Sequence, residues 1–242
     1  MKKILKLNGF TRPPLQPTTH RATPGATDRK FQWKFFQAAM NARGLHDAEE
    51  GTIYWERQEG GSLLCGEHCL NNLLQGSYFN SVQLSEMALV LDKEESKLTG
   101  SQGYSQNVDP EGNFSVQVLR AALLNFGEIE LFSPSSEDMR KEGKDWTKEE
   151  GFVVNRSSHW YSIRKLDGKW WDLNSLAHAP QSISDFHLGG VLTQLESSGA
   201  TVFIARGKMP AVQSDMQHPN WHSIAELRAM ADGETGSSDT SS

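Results

Sequence analysis

The sequence has 242 residues, of which 37% are hydrophobic and 22% are charged, and this composition excludes a fibrous or largely disordered protein. No run of the sequence approaches the roughly 18 consecutive apolar residues that a membrane-spanning helix requires. The formal net charge of -6 argues against broad affinity for nucleic acid, because phosphate binding requires a basic surface.

Composition divides the chain into an N-terminal extension over residues 1–52, a globular domain over 53–210 and a C-terminal tail over 211–242 that we expect to be mostly disordered. Residues 1–27 are rich in proline and basic side chains and contain no acidic residue, so we expect disorder there as well. Organelle targeting is an alternative for this stretch, although its prolines interrupt an amphipathic helix. Residues 31–43 have the spacing of a short amphipathic helix.

Three segments in the first half of the domain have the apolar spacing of helices. Ser62 is predicted to cap a helix that runs through Leu74, and residues 81–91 and 115–125 show similar periodicity. Gly127 stands where the terminating glycine of the third helix is expected.

Cys65 falls in the first turn of the first predicted helix. Unpaired backbone N–H groups and the helix dipole favour a thiolate nucleophile at that position, although Glu67 adds opposing negative charge. A cysteine taken alone is more often a small buried hydrophobe, and Cys69, one turn further on, fits that interpretation. Metal binding by Cys65, His68 and Cys69 is a third alternative, but no second Cys/His pair supplies the remaining ligands.

The periodicity changes in the second half of the domain. Strands are predicted over residues 152–155, 160–166, 169–173 and 201–206, with a helix over 183–195 between the last two. Helices followed by strands indicate the α+β class.

The dipeptide Asp167–Gly168 between two apolar runs predicts a type I′ hairpin in which Leu166 faces the residue after the turn. Extending this register places Asn174 opposite Tyr161, so His159, two residues before Tyr161, is predicted to touch Asn174 diagonally. A cysteine protease requires an imidazole that an amide holds in one tautomer. The alternative is a purely structural histidine–asparagine pair at a strand end.

Two segments, QEGGSLLCGEHCLNNLLQGSYF (58–79) and HWYSIRKLDGKWWDLNSL (159–176), resemble the Josephin domain, a family of papain-like cysteine proteases that are deubiquitinases. The likeness covers about residues 53–210 and includes features of the ataxin branch in residues 76–95, 114–123 and 182–207. The resemblance implies a papain-like α+β fold with a helical subdomain packed on an antiparallel sheet, and no cofactor. It places the nucleophile on Cys65, the general base on His159, the orienting amide on Asn174 and an oxyanion-stabilising amide on Gln58.

The resemblance also implies a surface for ubiquitin. The positions that match the family's exposed apolar patches are Tyr78, Phe79, Val116, Gln117 and Phe126. Core packing is the alternative for Val116 and Phe126. Tyr78 and Phe79 belong to the polar loop GSYFNS, so we expect both to be exposed.

These features predict a thiol-dependent deubiquitinase that cleaves isopeptide or peptide bonds at the C-terminal glycine of ubiquitin. Its expected partners are ubiquitin, polyubiquitin chains or ubiquitinated proteins, with no nucleic acid or membrane, in the nucleus or the cytoplasm. The interval from Gln58 to Cys65 is two residues longer than the family's usual spacing, because GGSLL contains an additional Gly and Leu. The alternative is therefore a non-catalytic or weakly active ubiquitin-binding module in which this loop displaces Gln58.

Overall fold

The computed structural model describes residues 51–60, 62–100, 105, 107–108, 113–134, 145–213 and 217–233. The extension over 1–27, the short helix predicted over 31–43 and the end of the tail after residue 233 lie outside the described residues, as does part of segment 92–113. Within the described ranges, no helix combines the length and apolarity that crossing a bilayer requires.

The helices are α1 (Cys65–Leu74), α2 (Ser81–Thr99), α3 (Val116–Gly127), α4 (Asp185–Ser197) and α5 (Ile224–Gly233), with a 3-10 turn at Trp146–Lys148. The strands are β1 (Thr52–Tyr54), β2 (Glu130–Phe132), β3 (Gly151–Arg156), β4 (His159–Leu166), β5 (Lys169–Asp172), β6 (Gln181–Ile183), β7 (Thr201–Arg206) and β8 (Trp221–Ser223).

The predicted helices of the first half are present, but their ends differ from the prediction. Helix α1 begins directly at Cys65, and its N-cap is Leu64, which makes no side-chain cap, rather than Ser62. Helix α2 begins at Ser81 as predicted, where Asn80 and Gln83 form a reciprocal capping box, but it continues past the predicted end to Thr99, where Gly100 in the left-handed conformation terminates it. Helix α3 is terminated by the left-handed conformation of Glu128, at φ 56°, instead of by Gly127.

An antiparallel sheet with the strand order β2-β7-β3-β4-β5-β6 forms the second layer. Side chains of β3 alternate between its faces, so Val153 packs against the helices α1 to α3 while Phe152 and Val154 pack on the opposite side. Helix α4 covers that opposite face with Leu188 and Leu192. The α+β class with helices packed on an antiparallel sheet, as expected for a papain-like fold, is confirmed.

Residues 217–233, which were expected to belong to a mostly disordered tail, contain a strand and a helix. Strand β8 pairs with β1 in a separate antiparallel ladder, with Tyr54 opposite Trp221, and α5 follows without a break. Trp221, Ile224 and Leu227 are buried, the last two in a cluster with residues of β1, β4 and β5. This segment is ordered because its apolar residues recur every three positions and cover a surface that the main sheet leaves open.

Candidate functional site

The hairpin that follows β4 has the predicted geometry. Asp167 and Gly168 adopt φ values of 47° and 79°, and Leu166 pairs with Lys169. Both residues of a type I′ turn require positive φ, which Asp and Gly tolerate best. The register continues beyond β5, where the Leu173 N–H donates to the carbonyl of Ser162 at 2.9 Å. The predicted pairing of β4 and β5 is therefore confirmed.

This register brings His159 and Asn174 into contact. The distance from His159 Nε2 to Asn174 Oδ1 is 2.8 Å. Since an amide oxygen only accepts, Nε2 carries the hydrogen and Nδ1 remains the basic nitrogen. The backbone of Asn174 is fixed at both ends, because its N–H donates to Asp172 Oδ1 at 3.1 Å and its carbonyl accepts from Trp55 Nε1 at 3.4 Å. The arrangement holds the imidazole in one tautomer.

The environment of His159 favours the neutral imidazole. Burial lowers its pKa from the usual value, while the hydrogen bond that its Nε2–H donates to Asn174 opposes part of that decrease. The ring stacks on Tyr161 with centroids 5.8 Å apart and an interplanar angle of 18°. A neutral, oriented imidazole is the form that can accept a proton from a thiol.

Cys65 lies beside the turn that leads into His159. Its Sγ is 3.9 Å from the carbonyl oxygen of Ser158 and 3.9 Å from Asn113 Oδ1. Ser157 and Ser158 form the tight turn between β3 and β4 with φ values of 51° and 64°, and this conformation turns the Ser158 carbonyl toward the helix. The first residue of α1 thus places its sulfur next to the histidine strand.

Asn113 and Ser158 are contacts of the thiol that the sequence did not predict. Trp160 Nε1 donates to the carbonyl of Phe114 at 2.9 Å, which ties the segment carrying Asn113 to the strand carrying His159. A Ser-Ser pair between two strands is a weak turn signal, because non-glycine residues rarely adopt positive φ. The segment of Asn113 has no local signature at all.

Gln58 is held against the segment that follows Asn174. Its backbone N–H donates to the Ser175 carbonyl at 2.8 Å, and its Oε1 accepts from Ser175 Oγ at 3.2 Å. Its side-chain Nε2 donates to the carbonyl of Ser62, within the lengthened loop. The loop is closed by a second bond, from the Ser62 N–H to the Glu59 carbonyl at 3.0 Å. A primary amide has two N–H groups, so one donor of Gln58 is left after the bond to Ser62.

A buried polar network supports the helix that carries Cys65. Glu56 is 6% exposed and accepts hydrogen bonds from the Tyr54 hydroxyl at 2.5 Å and from Asn71 Nδ2 at 3.0 Å. His68 Nδ1 lies 2.7 Å from the other carboxylate oxygen of Glu56. The network joins β1 to α1, since each partner of Glu56 belongs to one of these two elements.

The two cysteines have different surroundings. Cys69 is 1% exposed, and burial raises the pKa of its thiol well above the usual value, as expected for a structural cysteine. His68, the remaining member of the metal alternative, faces Glu56. In the part of the chain that the structure describes, no three His, Cys, Asp or Glu residues cluster in a way that could hold a metal ion.

The expected ubiquitin patch is only partly exposed. Phe79 is 7% exposed and packs with Phe126, their centroids 6.0 Å apart, so the expectation that Phe79 is exposed is wrong. Asn71 accounts for the difference, because it bonds both backbone groups of Phe79 and lets the polar loop turn the ring inward. Phe126 is also buried, whereas Tyr78 and Val116 are half-buried and Gln117 is exposed.

The sequence is similar to that of known proteins. The sequence pattern of the family described as Josephin matches residues 60–206. The chain is 40% identical over 176 residues to Ataxin-3 of Gallus gallus and 39% identical over 176 residues to Ataxin-3 of Homo sapiens, covering 68% of this chain and 48% of each relative. It is 35% identical over 173 residues to the Ataxin-3 homolog of Arabidopsis thaliana, covering 66% of this chain and 61% of that relative. The chain spans about half the length of most of the curated relatives it matches.

Proposed function

Because the chain belongs to the Josephin family, we propose that it is a cysteine-type deubiquitinase that hydrolyses isopeptide or peptide bonds after the C-terminal glycine of ubiquitin. The 2.8 Å hydrogen bond between His159 and Asn174 is the observation that carries the proposal. It leaves the basic nitrogen of His159 available on the strand whose preceding residue contacts the Cys65 sulfur. Nucleophile, base and orienting group are the set that thiol proteases require.

In the proposed reaction, His159 accepts the proton of the Cys65 thiol, and the thiolate attacks the carbonyl carbon of the ubiquitin C-terminal glycine. The bond to the leaving lysine amine breaks when His159 returns the proton to that amine, leaving a thioester on Cys65. His159 then deprotonates a water molecule, the hydroxide attacks the thioester carbonyl, and the C–S bond breaks, which releases the ubiquitin carboxylate while His159 returns the proton to the Cys65 sulfur. Asn174 keeps the imidazole in the same orientation through all of these proton transfers.

The developing oxyanion requires hydrogen-bond donors at the start of α1. The first backbone N–H groups of a helix have no partner within the helix, so the N-terminus at Cys65 supplies donors of the required kind. The remaining N–H of Gln58 is the proposed side-chain donor. We further propose that Tyr78, Val116 and Gln117 contribute to ubiquitin binding, since they keep exposed surface.

The proposal is tested by incubating the full chain with a ubiquitin whose C-terminus carries a thiol-reactive group and measuring the intact mass. The unmodified protein is expected to gain one ubiquitin, and Cys65→Ala is expected to gain none while still binding ubiquitin. Cys69→Ala is the matched control, because the buried Cys69 should leave the adduct intact. An adduct that persists in Cys65→Ala, or that disappears only in Cys69→Ala, would refute the assignment.

The second candidate is a non-catalytic or weakly active ubiquitin-binding module. The hydrogen bond from Gln58 to Ser62 favours it, because that bond directs one amide hydrogen into the loop instead of toward the thiol. Steady-state hydrolysis of a ubiquitin C-terminal fluorogenic amide distinguishes the two candidates. Turnover that requires Cys65 supports the enzyme, whereas an adduct without turnover supports the binding module.

A further inference from the structure

A cleft of about 300 Å³ opens where β1 and β8 meet the segment that follows Asn174. The described residues that line it come from distant parts of the chain, and the pairing of β1 with β8 brings two of these parts together. They include Trp55, Arg57, His178, Asn220, His222 and Met230. We refer to this site as the β1–β8 cleft.

The β1–β8 cleft shares a wall with the proposed catalytic residues. Trp55, which lines it, donates through Nε1 to the Asn174 carbonyl at 3.4 Å. Arg57 also lines it and directly precedes Gln58, whose N–H bonds the Ser175 carbonyl at 2.8 Å. The cleft therefore lies on the side of the site that Gln58 and Ser175 form.

Two contacts of the thiol, Asn113 and Ser158, belong to segments that do not line the cleft. The proposed ubiquitin-binding residues Val116 and Gln117 begin α3, a few positions after Asn113, so ubiquitin is expected to approach from that side. A scissile bond lying across Cys65 then directs its leaving group toward Gln58 and the β1–β8 cleft. The leaving group is the lysine of the acceptor protein, the protein to which ubiquitin is attached, so we expect the acceptor protein to lie next to this cleft.

The side chains of the β1–β8 cleft are suited to an anion. The described lining residues include the exposed cation Arg57, two imidazoles and the amide of Asn220, and no carboxylate is among them. Glu56, the neighbour of Arg57, is not available to neutralise it, because Glu56 is buried with His68 and Tyr54. In a chain whose net charge is -6, a cleft with this composition favours an acidic ligand.

We propose that the β1–β8 cleft binds an acidic side chain of the acceptor protein close to the ubiquitinated lysine, and that Arg57 determines a preference for such acceptors. The inference rests on the proposed function, since it concerns the leaving group of that reaction. Arg57 is solvent-exposed, so a single pair with a carboxylate changes kcat/KM by about fivefold at most.

Three substrates test this inference with the full chain. Two are ubiquitin–peptide isopeptide conjugates whose acceptor lysine is flanked by Glu in one and by Gln in the other. The third is a ubiquitin fluorogenic amide, which has no acceptor peptide. The unmodified protein is expected to cleave the Glu conjugate about three to five times more efficiently than the Gln conjugate, and high salt is expected to reduce this ratio.

In Arg57→Gln the ratio is expected to fall to about one, and in His222→Gln it is expected to fall part of the way. Arg228→Gln on α5 is the matched control, because it removes an equal charge from an exposed position that does not line the cleft and should keep the ratio. Equal cleavage of the two conjugates by the unmodified protein would overturn the inference while leaving the proposed function standing. The inference also fails if Arg57→Gln keeps the preference. Absence of cleavage of all three substrates would refute the proposed function and the inference together.

Discussion

Replacing Asn174 by alanine tests the proposed role of its side chain as the group that orients His159. The substitution removes the 2.8 Å hydrogen bond to Nε2 and one from the Leu176 N–H at 3.0 Å. Leu176 is exposed, so water replaces the second bond, and we expect the free energy of unfolding to fall by only about 1 kcal/mol. We therefore expect the substitution to lower the rate of catalysis much more than the stability of the fold.

The magnitude follows from the charge of the imidazole during the reaction. When His159 holds the thiol proton, the bond from Nε2 to Asn174 becomes charge-assisted, and such bonds contribute about 1.5–3 kcal/mol. Losing that contribution in the transition state lowers kcat by roughly 10- to 150-fold. KM and the affinity for ubiquitin should change little, since Asn174 does not belong to the proposed ubiquitin surface.

The assay is steady-state hydrolysis of a ubiquitin C-terminal fluorogenic amide, with kcat and KM measured separately for Asn174→Ala and Asn174→Asp. The Asp variant keeps an oxygen acceptor and should retain more activity than the Ala variant. Because the Asn174 bond raises the pKa of His159, NMR titration of this histidine in Asn174→Ala should give a still lower pKa. A kcat within twofold of the unmodified protein, or a loss confined to KM, would remove Asn174 from the proposed mechanism.

Three further predictions concern residues that support the site. Asn71→Ala is expected to lower the free energy of unfolding, measured with urea, by about 3–5 kcal/mol, because Asn71 is fully buried and bonds Glu56 and the backbone of Tyr78 and Phe79. Burial raises the pKa of Asp172 to about 6 from 3.8, which means that the folded state favours the protonated carboxyl. The stability that the protonated carboxyl gives to the folded state is therefore complete below pH 3.8 and is lost as the pH rises through 6. Asp172→Asn should therefore stabilise the fold at pH 8 by at most about 3 kcal/mol and have little effect at pH 3.5, and an equal effect at both pH values would contradict this reasoning. Ending the chain after residue 210 should lower the urea midpoint strongly, because it uncovers the apolar cluster under β8 and α5, whereas ending it after residue 233 should not.

The contact between His159 and Asn174 could be predicted because it depends on local chemistry. Asp167 and Gly168 favour the positive φ values that a type I′ turn requires, and a turn of known length fixes the register of both strands. Once the register is known, the alternation of side chains in a strand decides which residues touch. No information about distant parts of the chain is needed.

The turn at Ser157 and Ser158 could not be predicted in the same way. Neither residue favours the left-handed conformation, so the turn is imposed by the pairing of β3 with β4 and of β3 with β7. The position of the Ser158 carbonyl against Cys65 depends on that pairing. Phe79 shows the same limit, because the residue that turns it inward, Asn71, belongs to the preceding helix.

The sequence of the C-terminal strand and helix contains a pattern that the domain boundary at residue 210, drawn from composition, does not take into account. Ile224, Leu227 and Met230 stand at i, i+3 and i+6, a spacing that lets three apolar residues share one face of a short helix. The short run of residues with this spacing lies between polar segments, and its partner strand β1 is far away in the sequence. Composition averaged over the whole tail hides an element that is stabilised by tertiary packing.

The choice between enzyme and binding module depends on the amide of Gln58 more than on the length of its loop. The backbone of Gln58 is bonded to Ser175, and the additional residues close on themselves through the bond from Ser62 to Glu59, so the longer loop does not separate Gln58 from Asn174. The bond from Gln58 to Ser62 is between neutral groups near solvent and contributes about 1 kcal/mol. A donor to an oxyanion contributes about 2.7–4 kcal/mol in the transition state. Because the second interaction is the stronger one, the developing oxyanion can draw the amide away from Ser62, and the lengthened loop is compatible with catalysis.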